Sequence, residues 1–220
     1  REIFAERKEA ITQYVPAEVQ AVHARAVASL KAQGLASRAL KAGDVSSSFE
    51  LPDHNGKVVS SADLLATGRI VLCFIRGRWC PFCVSQTEAM SSVAAEIATA
   101  RAAVVAVSPQ TEKQAFFMHD QHKLAFPLLV DAHNRLARQF GLVYRVSEEQ
   151  QALYRRTFVN LPFANGDSSW ELPIPATYVV DRDGTILFAS VNEDYMDRAE
   201  PREILAAVRL ACEPARHSPD

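Results

Sequence analysis

Two cysteines separated by two residues stand in the run Arg76-Gly77-Arg78-Trp79-Cys80-Pro81-Phe82-Cys83. The run follows the apolar segment Ile70–Ile75 and precedes residues 84–100, whose pattern is helical. A strand therefore hands over to a helix at the cysteines. Backbone N–H groups at a helix start are unpaired and the macrodipole is positive there, so a thiolate is favoured. Such a thiolate attacks an electrophilic oxygen or sulfur, and a second cysteine one turn deeper can close a disulfide with the first. This position gives attack to Cys80, with a lowered pKa, and resolution to Cys83. Arg76 and Arg78 add positive charge, and Trp79 would shield one side of the sulfur.

Zinc sites also use C-x-x-C, but a closed site needs two more Cys or His ligands. There is no second C-x-x-C, and His119 and His122 lie far downstream in a separate helical segment. No metal or other cofactor is implied. Cys73 and Cys212 lie in apolar patterns and read as inert core thiols. Pro175 leads into the strand-like segment Ala176–Asp181. A proline at such a point can be cis in a tight turn. With the C-x-x-C upstream we expect a cis bond that holds backbone beside the disulfide. His23 reads as a surface histidine, Arg145, Arg155 and Arg156 as a solvated face, and Phe116, Phe117, Met118 and Phe126 as core or pocket wall.

The elements that must position this pair follow from periodicity and punctuation. Residues 1–42 are rich in Ala, Glu, Lys and Arg, with apolar stripes broken at Pro16 and stopped near Gly34. The stripes must pack on the following domain or on a partner subunit, so a homodimer is one use of them. From Gly43 the texture changes. Asn55-Gly56 between short apolar segments signals a hairpin. Ser60 to Leu65 reads as a capped short helix, and Val104–Val107 as a strand buried on both faces. Thr111 to about His122 is helical, Phe126–Asp131 is a strand, and Asn134–Phe140 is a helix stopped by Gly141. A helix runs from Ser147 to about Arg156. Residues 160–175 have little periodicity, and a loop of that length is usually functional or a lid; its Trp170 has two equal readings, a cover for the cysteines or a packing residue. A second hairpin turns at Arg182-Asp183-Gly184, and Pro201–Cys212 is a final amphipathic helix. Parallel β-α-β units followed by an antiparallel hairpin and a last helix fit an α/β fold with a mixed sheet covered on both faces. The division expected is an N-terminal helical extension over 1–42, one domain over 43–212 and a C-terminal tail over 213–220.

Composition sets broad bounds. The 220 residues carry a formal net charge of −2, which leaves no nucleic-acid footprint. No apolar run approaches membrane-spanning length. Four cysteines in a chain of this size do not make a disulfide scaffold. The charged N-terminal segment has no secretory apolar region, so the expected location is cytoplasmic. Because residue 1 is Arg rather than Met, a cleaved targeting segment stays compatible with the sequence.

The strand, Trp79-Cys80-x-x-Cys83 and Ile174-Pro175 resemble the thioredoxin superfamily. More closely, the chain resembles the peroxiredoxin-like branch of the alkyl hydroperoxide reductase/thiol-specific antioxidant family. The matching stretches are Gly43-Asp44-Val45 with Phe49–Pro52, Val71–Cys83, Phe126–Asp131 and Pro175–Gly184. The resemblance implies a thioredoxin-like fold and a thiol peroxidase. In that scheme Cys80 becomes sulfenic acid on reaction with a hydroperoxide, and an external thiol system such as thioredoxin or glutathione reduces it. Typical members place a Pro and a Thr or Ser seven and three residues before the reactive cysteine. Here those places hold Cys73 and Gly77, and Pro175 stands near the family's active-site Arg. A thiol–disulfide oxidoreductase acting on disulfides is thus a second reading of the same motif. A non-catalytic module with a structural or metal-holding C-x-x-C is a third.

Overall fold

The architecture was taken from a computed structural model of the chain, which describes residues 3–210. Cys212 and the tail at 213–220 lie outside them. Three helices come first, α1 (Ile3–Gln13), α2 (Ala17–Ala32) and α3 (Leu35–Arg38). Pro16 separates the first two, and Gly34 sits beyond the end of α2 with φ +63°, the left-handed conformation that a residue with a Cβ avoids. The hairpin strands β1 (Glu50–Pro52) and β2 (Val58–Ser60) pair antiparallel around the Asn55-Gly56 turn. Ser60 then caps α4 (Ser61–Thr67) by accepting the Ala62 N–H at 3.2 Å.

The central sheet begins with β3 (Arg69–Phe74), followed by α5 (Pro81–Thr99), β4 (Ala102–Ser108), α6 (Glu112–His122) and β5 (Leu128–Val130). After α7 (Arg135–Gln139), β6 (Val143–Arg145), α8 (Glu148–Arg156), α9 (Leu161–Asn165) and β7 (Glu171–Pro173), the chain returns to the sheet. It does so with β8 (Ala176–Val180) and β9 (Ile186–Val191), and α10 (Pro201–Leu210) closes the fold. Strand order is β5-β4-β3-β8-β9. The first three strands are parallel, and β8 and β9 are antiparallel to their neighbours.

Strand side chains alternate between two cores. Ile70, Leu72, Phe74, Val105, Val107 and Tyr178 pack on one face with Phe140, Leu142 and Tyr154. Val71, Cys73, Ile75, Val104, Ala106 and Val179 pack on the other with Met90, Ile97, Ile204 and Val208. A strand with apolar residues at every position is thus fully used. The thioredoxin-like fold with its mixed sheet and N-terminal helices is the one expected.

The N-terminal helices pack on their own chain, α2 against α8 and α1 against α5. Leu30, Leu35 and Phe4 are buried there, and Arg156 meets Glu18 at 2.9 Å across the α2–α8 contact. Since an exposed ion pair contributes about 0–1 kcal/mol, the apolar burial dominates.

Three expectations change. Residues 142–175 are more ordered than their irregular composition suggests: β6 and β7 pair antiparallel, and Trp170 packs against the core with the Arg155 guanidinium 4.7 Å over its ring. Three-residue strands are too short to carry a periodicity, and of its two readings Trp170 takes the packing one. Pro175 is trans, as is every peptide bond among the described residues. The β6–β7 pairing, extended by Ile174 N–H to Leu142 C=O at 2.8 Å, feeds the chain straight into β8, so no turn requires the cis form. Phe116 and Phe117 are 45% and 43% exposed, outside the core, whereas Met118 and Phe126 are buried.

Candidate active site

Cys80 is the N-cap of α5 and Pro81 its first helical residue, a position where the missing proline N–H costs nothing. Phe74 pairs with Ala176, so the register sets Pro175 beside the point where β3 leaves the sheet. The connection bends at Gly77, whose φ is +136°. A Cβ there would lie 3.0 Å from Trp79 Nε1 and 3.2 Å from Gln110 Oε1. That crowding accounts for glycine where the resembling family has Thr or Ser.

Both cysteines are free and deeply buried, and their sulfurs share a hydrogen bond. The surroundings of the two differ. Cys83 Sγ accepts the Arg76 backbone N–H at 3.3 Å and an Arg198 guanidinium N–H at 3.5 Å. Burial alone would raise its pKa. The bond from Cys80, the charges of Arg198 and Arg76 and the Arg76 N–H together hold it well below the ordinary thiol range. Cys80 goes the other way, pushed well up by burial and then by its bond to Cys83. The dithiol therefore loses one proton readily and keeps the second, which the two sulfurs share. Helix position led us to expect the lowered pKa at Cys80. The fold gives it to Cys83, because the positive groups converge there. Cys80 keeps the accessible position: it lines a cavity of about 740 Å³, and Cys83 does not.

Arg76 is 1% exposed. Its guanidinium stacks 4.7 Å from the Trp79 ring and 4.3 Å from the Tyr195 ring, and it donates to the Tyr154 hydroxyl. Burial works against its charge, but Tyr154, Tyr144, Cys80 and Tyr195 favour the cation, and it stays protonated. Arg78 is exposed. It donates to Gln114 Oε1 at 3.0 Å and lies over Phe117, so it is turned towards α6 rather than towards the sulfurs.

Sequence reading missed Arg198, which reaches Cys83 from the segment before α10. Two N–H groups bind the Tyr195 carbonyl at 2.9 and 2.7 Å, and another binds Gln86. Gln86 in turn donates to Thr177 at 3.1 Å, and Thr177 contacts Cys73 at 3.9 Å. Cys73 itself is inert as expected, its thiol pushed up to about 12 by burial. His23 is not a surface residue. It lies edge-on to Tyr195 on the cavity wall, with its pKa lowered to about 4 by burial and then by Arg76.

A buried thiol pair at the start of a helix on a five-stranded thioredoxin-like sheet defines a thiol-dependent oxidoreductase. Residues 42–189 match the AhpC/TSA family. A Mycobacterium tuberculosis (strain H37Rv) protein classed among the peroxiredoxins is 34% identical over 121 residues, 54% of this chain and 78% of its own. Peroxiredoxin Bcp of Escherichia coli K12 is 28% identical over 103 residues, 47% of this chain and 65% of its own. The crystal structure of peroxidoxin BcpB from Mycobacterium tuberculosis superposes with a TM-score of 0.64 at 27% identity, covering 80% of this chain and 99% of that one. The chain belongs to the AhpC/TSA family and is a thiol peroxidase that reduces hydroperoxides.

Proposed function

We propose that Cys80 is the cysteine that meets the hydroperoxide and that Cys83 resolves it. The observation that carries this is the division of labour between the sulfurs: Cys80 borders the cavity, whereas Cys83 is sealed and holds the groups that stabilise an anion. As Cys80 attacks, the shared proton moves to Cys83, so that the sulfur on the cavity side is the thiolate. Cys80 Sγ bonds to one peroxide oxygen, the O–O bond breaks, and the departing alkoxide takes the shared proton. Cys80 is then a sulfenic acid and Cys83 a thiolate. Cys83 Sγ attacks Cys80 Sγ, hydroxide leaves and is protonated to water, and the disulfide spans one turn of α5. Two electrons have passed from the dithiol to the peroxide. An external thiol, of the thioredoxin or glutathione type, returns them.

Arg76, Trp79 and Arg198 are positioning residues in this account. Pro175 supports the strand end beside the pair, and Arg78 has no assigned part. The boundary at 42/43 is supported by the start of the family match at residue 42. Among the described residues no helix is long and apolar enough to cross a membrane. A cytoplasmic location suits a pair that works from the reduced state. Stopped-flow oxidation of the reduced protein tests the reading, with an organic hydroperoxide in one experiment and a disulfide in another. Oxidation by hydroperoxide should far outpace that of a free thiol and be lost in Cys80→Ser. A rate no faster than a free thiol, alongside fast reaction with the disulfide, would favour the oxidoreductase reading instead.

A further inference from the structure

Gln86 is 1% exposed on α5, one turn beyond Cys83, and the peroxide chemistry gives it no part. Its amide is satisfied in only one orientation. Arg198 offers only N–H donors, so the amide oxygen must face Arg198 and accept from it. The amide nitrogen then faces Thr177 and donates to its hydroxyl at 3.1 Å. The Thr177 hydroxyl turns its own hydrogen to Cys73 Sγ, 3.9 Å away and directly opposite in the β3–β8 register. Burial keeps Cys73 protonated, so it adds no anion to compete for Arg198.

Arg198 is gripped on two edges. Nε and Nη2 donate to the Tyr195 carbonyl at 2.9 and 2.7 Å, Nη1 donates to Gln86, and Nη2 also donates to Cys83 Sγ at 3.5 Å. The carbonyl and the amide that hold the guanidinium are neutral. A carboxylate in place of Gln86 would hold it as well but cancel its charge, and an apolar side chain would keep the charge but lose the aim. Stability alone does not call for an amide, because replacing both partners of a buried hydrogen bond by apolar groups of similar shape is nearly neutral.

We propose that Gln86, held by Thr177, is the positioning residue that aims the Arg198 guanidinium at Cys83 Sγ while leaving its charge uncancelled. The proposal rests on Arg198 being a stabilising cation of the sulfur pair. The other cation, Arg76, is held by the Trp79 and Tyr195 rings and the Tyr154 hydroxyl, so a change at Gln86 reaches the sulfurs through Arg198. Tyr144, Tyr154 and Tyr195 also face the pair, and burial keeps their hydroxyls protonated.

Ultraviolet absorbance of the thiolate against pH, on the reduced full chain, tests this. In Gln86→Leu a guanidinium free to drift from 3.5 Å to about 6 Å loses about 40% of its attraction, so the midpoint should rise by about one unit. That leaves about tenfold less thiolate below the midpoint. Gln86→Leu/Thr177→Val removes both hydrogen-bonding partners, should unfold in urea close to wild type, and should show the same rise. Gln86→Glu should raise the midpoint at least as far, and Thr177→Ser should keep the wild-type value. In an Arg198→Met background, Gln86→Leu should add less than about 0.3 unit, because no charge is left to aim. A midpoint within about 0.3 unit of wild type in Gln86→Leu/Thr177→Val, a lowered one in Gln86→Glu, or a full rise from Gln86→Leu in Arg198→Met would each overturn the proposal. If Arg198→Met itself leaves the midpoint in place, the charge assignment fails and the proposal with it; if Arg198→Met moves it and the Gln86 variants do not, the proposal alone fails.

Discussion

Replacing Arg198 with Met should raise the first ionisation of the Cys80–Cys83 pair, and the size of the effect follows from geometry. An Arg198 guanidinium nitrogen lies 3.5 Å from Cys83 Sγ. A unit charge at that distance is worth roughly 5 kcal/mol at an effective dielectric constant of about 20, and about half that with the screening of a partly exposed site. One pKa unit corresponds to about 1.4 kcal/mol, so the pair's first pKa should move up by roughly 2 units. The assay is the ultraviolet absorbance of the thiolate as a function of pH, with iodoacetamide reactivity as a second readout. Below the shifted pKa, reactivity should fall by up to about a hundredfold. Arg198→Lys should recover part of the shift, because charge returns without the bonds to the Tyr195 carbonyl and Gln86. Arg78→Met is the control. Arg78 is exposed and bonded to Gln114, so its loss should leave the titration in place. A midpoint that stays within about half a unit in Arg198→Met, or that moves as far in Arg78→Met, would refute the assignment of the stabilising charge.

Tyr154→Phe removes the hydroxyl that accepts from the buried Arg76 guanidinium and should cost about 2 kcal/mol in urea unfolding. Gly77→Ala forces a Cβ to 3.0 Å from Trp79 Nε1 at φ +136° and should destabilise by at least about 2 kcal/mol, with slower alkylation of Cys80 if the bend relaxes. His23 has a folded pKa of about 4, below its ordinary 6.5. Its contribution to stability is therefore complete above the unfolded value and is lost as pH falls from about 6.5 towards 4. His23→Gln should lose about 1–2 kcal/mol less than wild type across that window, after allowance for solvent screening, as read from urea unfolding at several pH values.

The strand–helix junction with its two cysteines was legible because it is local: an apolar run, a proline at the first helical position and a helical stripe are all adjacent in the chain. The Asn55-Gly56 and Asp183-Gly184 hairpins and the Gly34 stop were legible for the same reason. The groups that decide the electrostatics were not. Arg198 lies 115 positions from Cys83, Tyr154 lies 78 from Arg76, and Tyr195 meets Arg76 only because β9 and the segment after it return across α5. An arginine or tyrosine in a polar segment carries no periodic mark that distinguishes a site residue from a solvated one. Arg78 illustrates the converse. It sits closer to Cys80 in the chain than Arg76 does, yet the left-handed bend at Gly77 turns it away and buries its neighbour. Position on the helix alone argued for a lowered pKa at Cys80. The backbone N–H of Arg76 and the guanidinium of Arg198 move the anion one turn deeper.

The division of labour between Cys80 and Cys83 is tested most directly by mass spectrometry of protein treated with one equivalent of hydroperoxide and a sulfenic-acid trap. The account predicts a Cys80–Cys83 disulfide in the wild type, a trapped sulfenic acid on Cys80 in Cys83→Ser, and no adduct in Cys80→Ser. An adduct on Cys83 in Cys80→Ser, formed as fast as the wild type is oxidised, would contradict it.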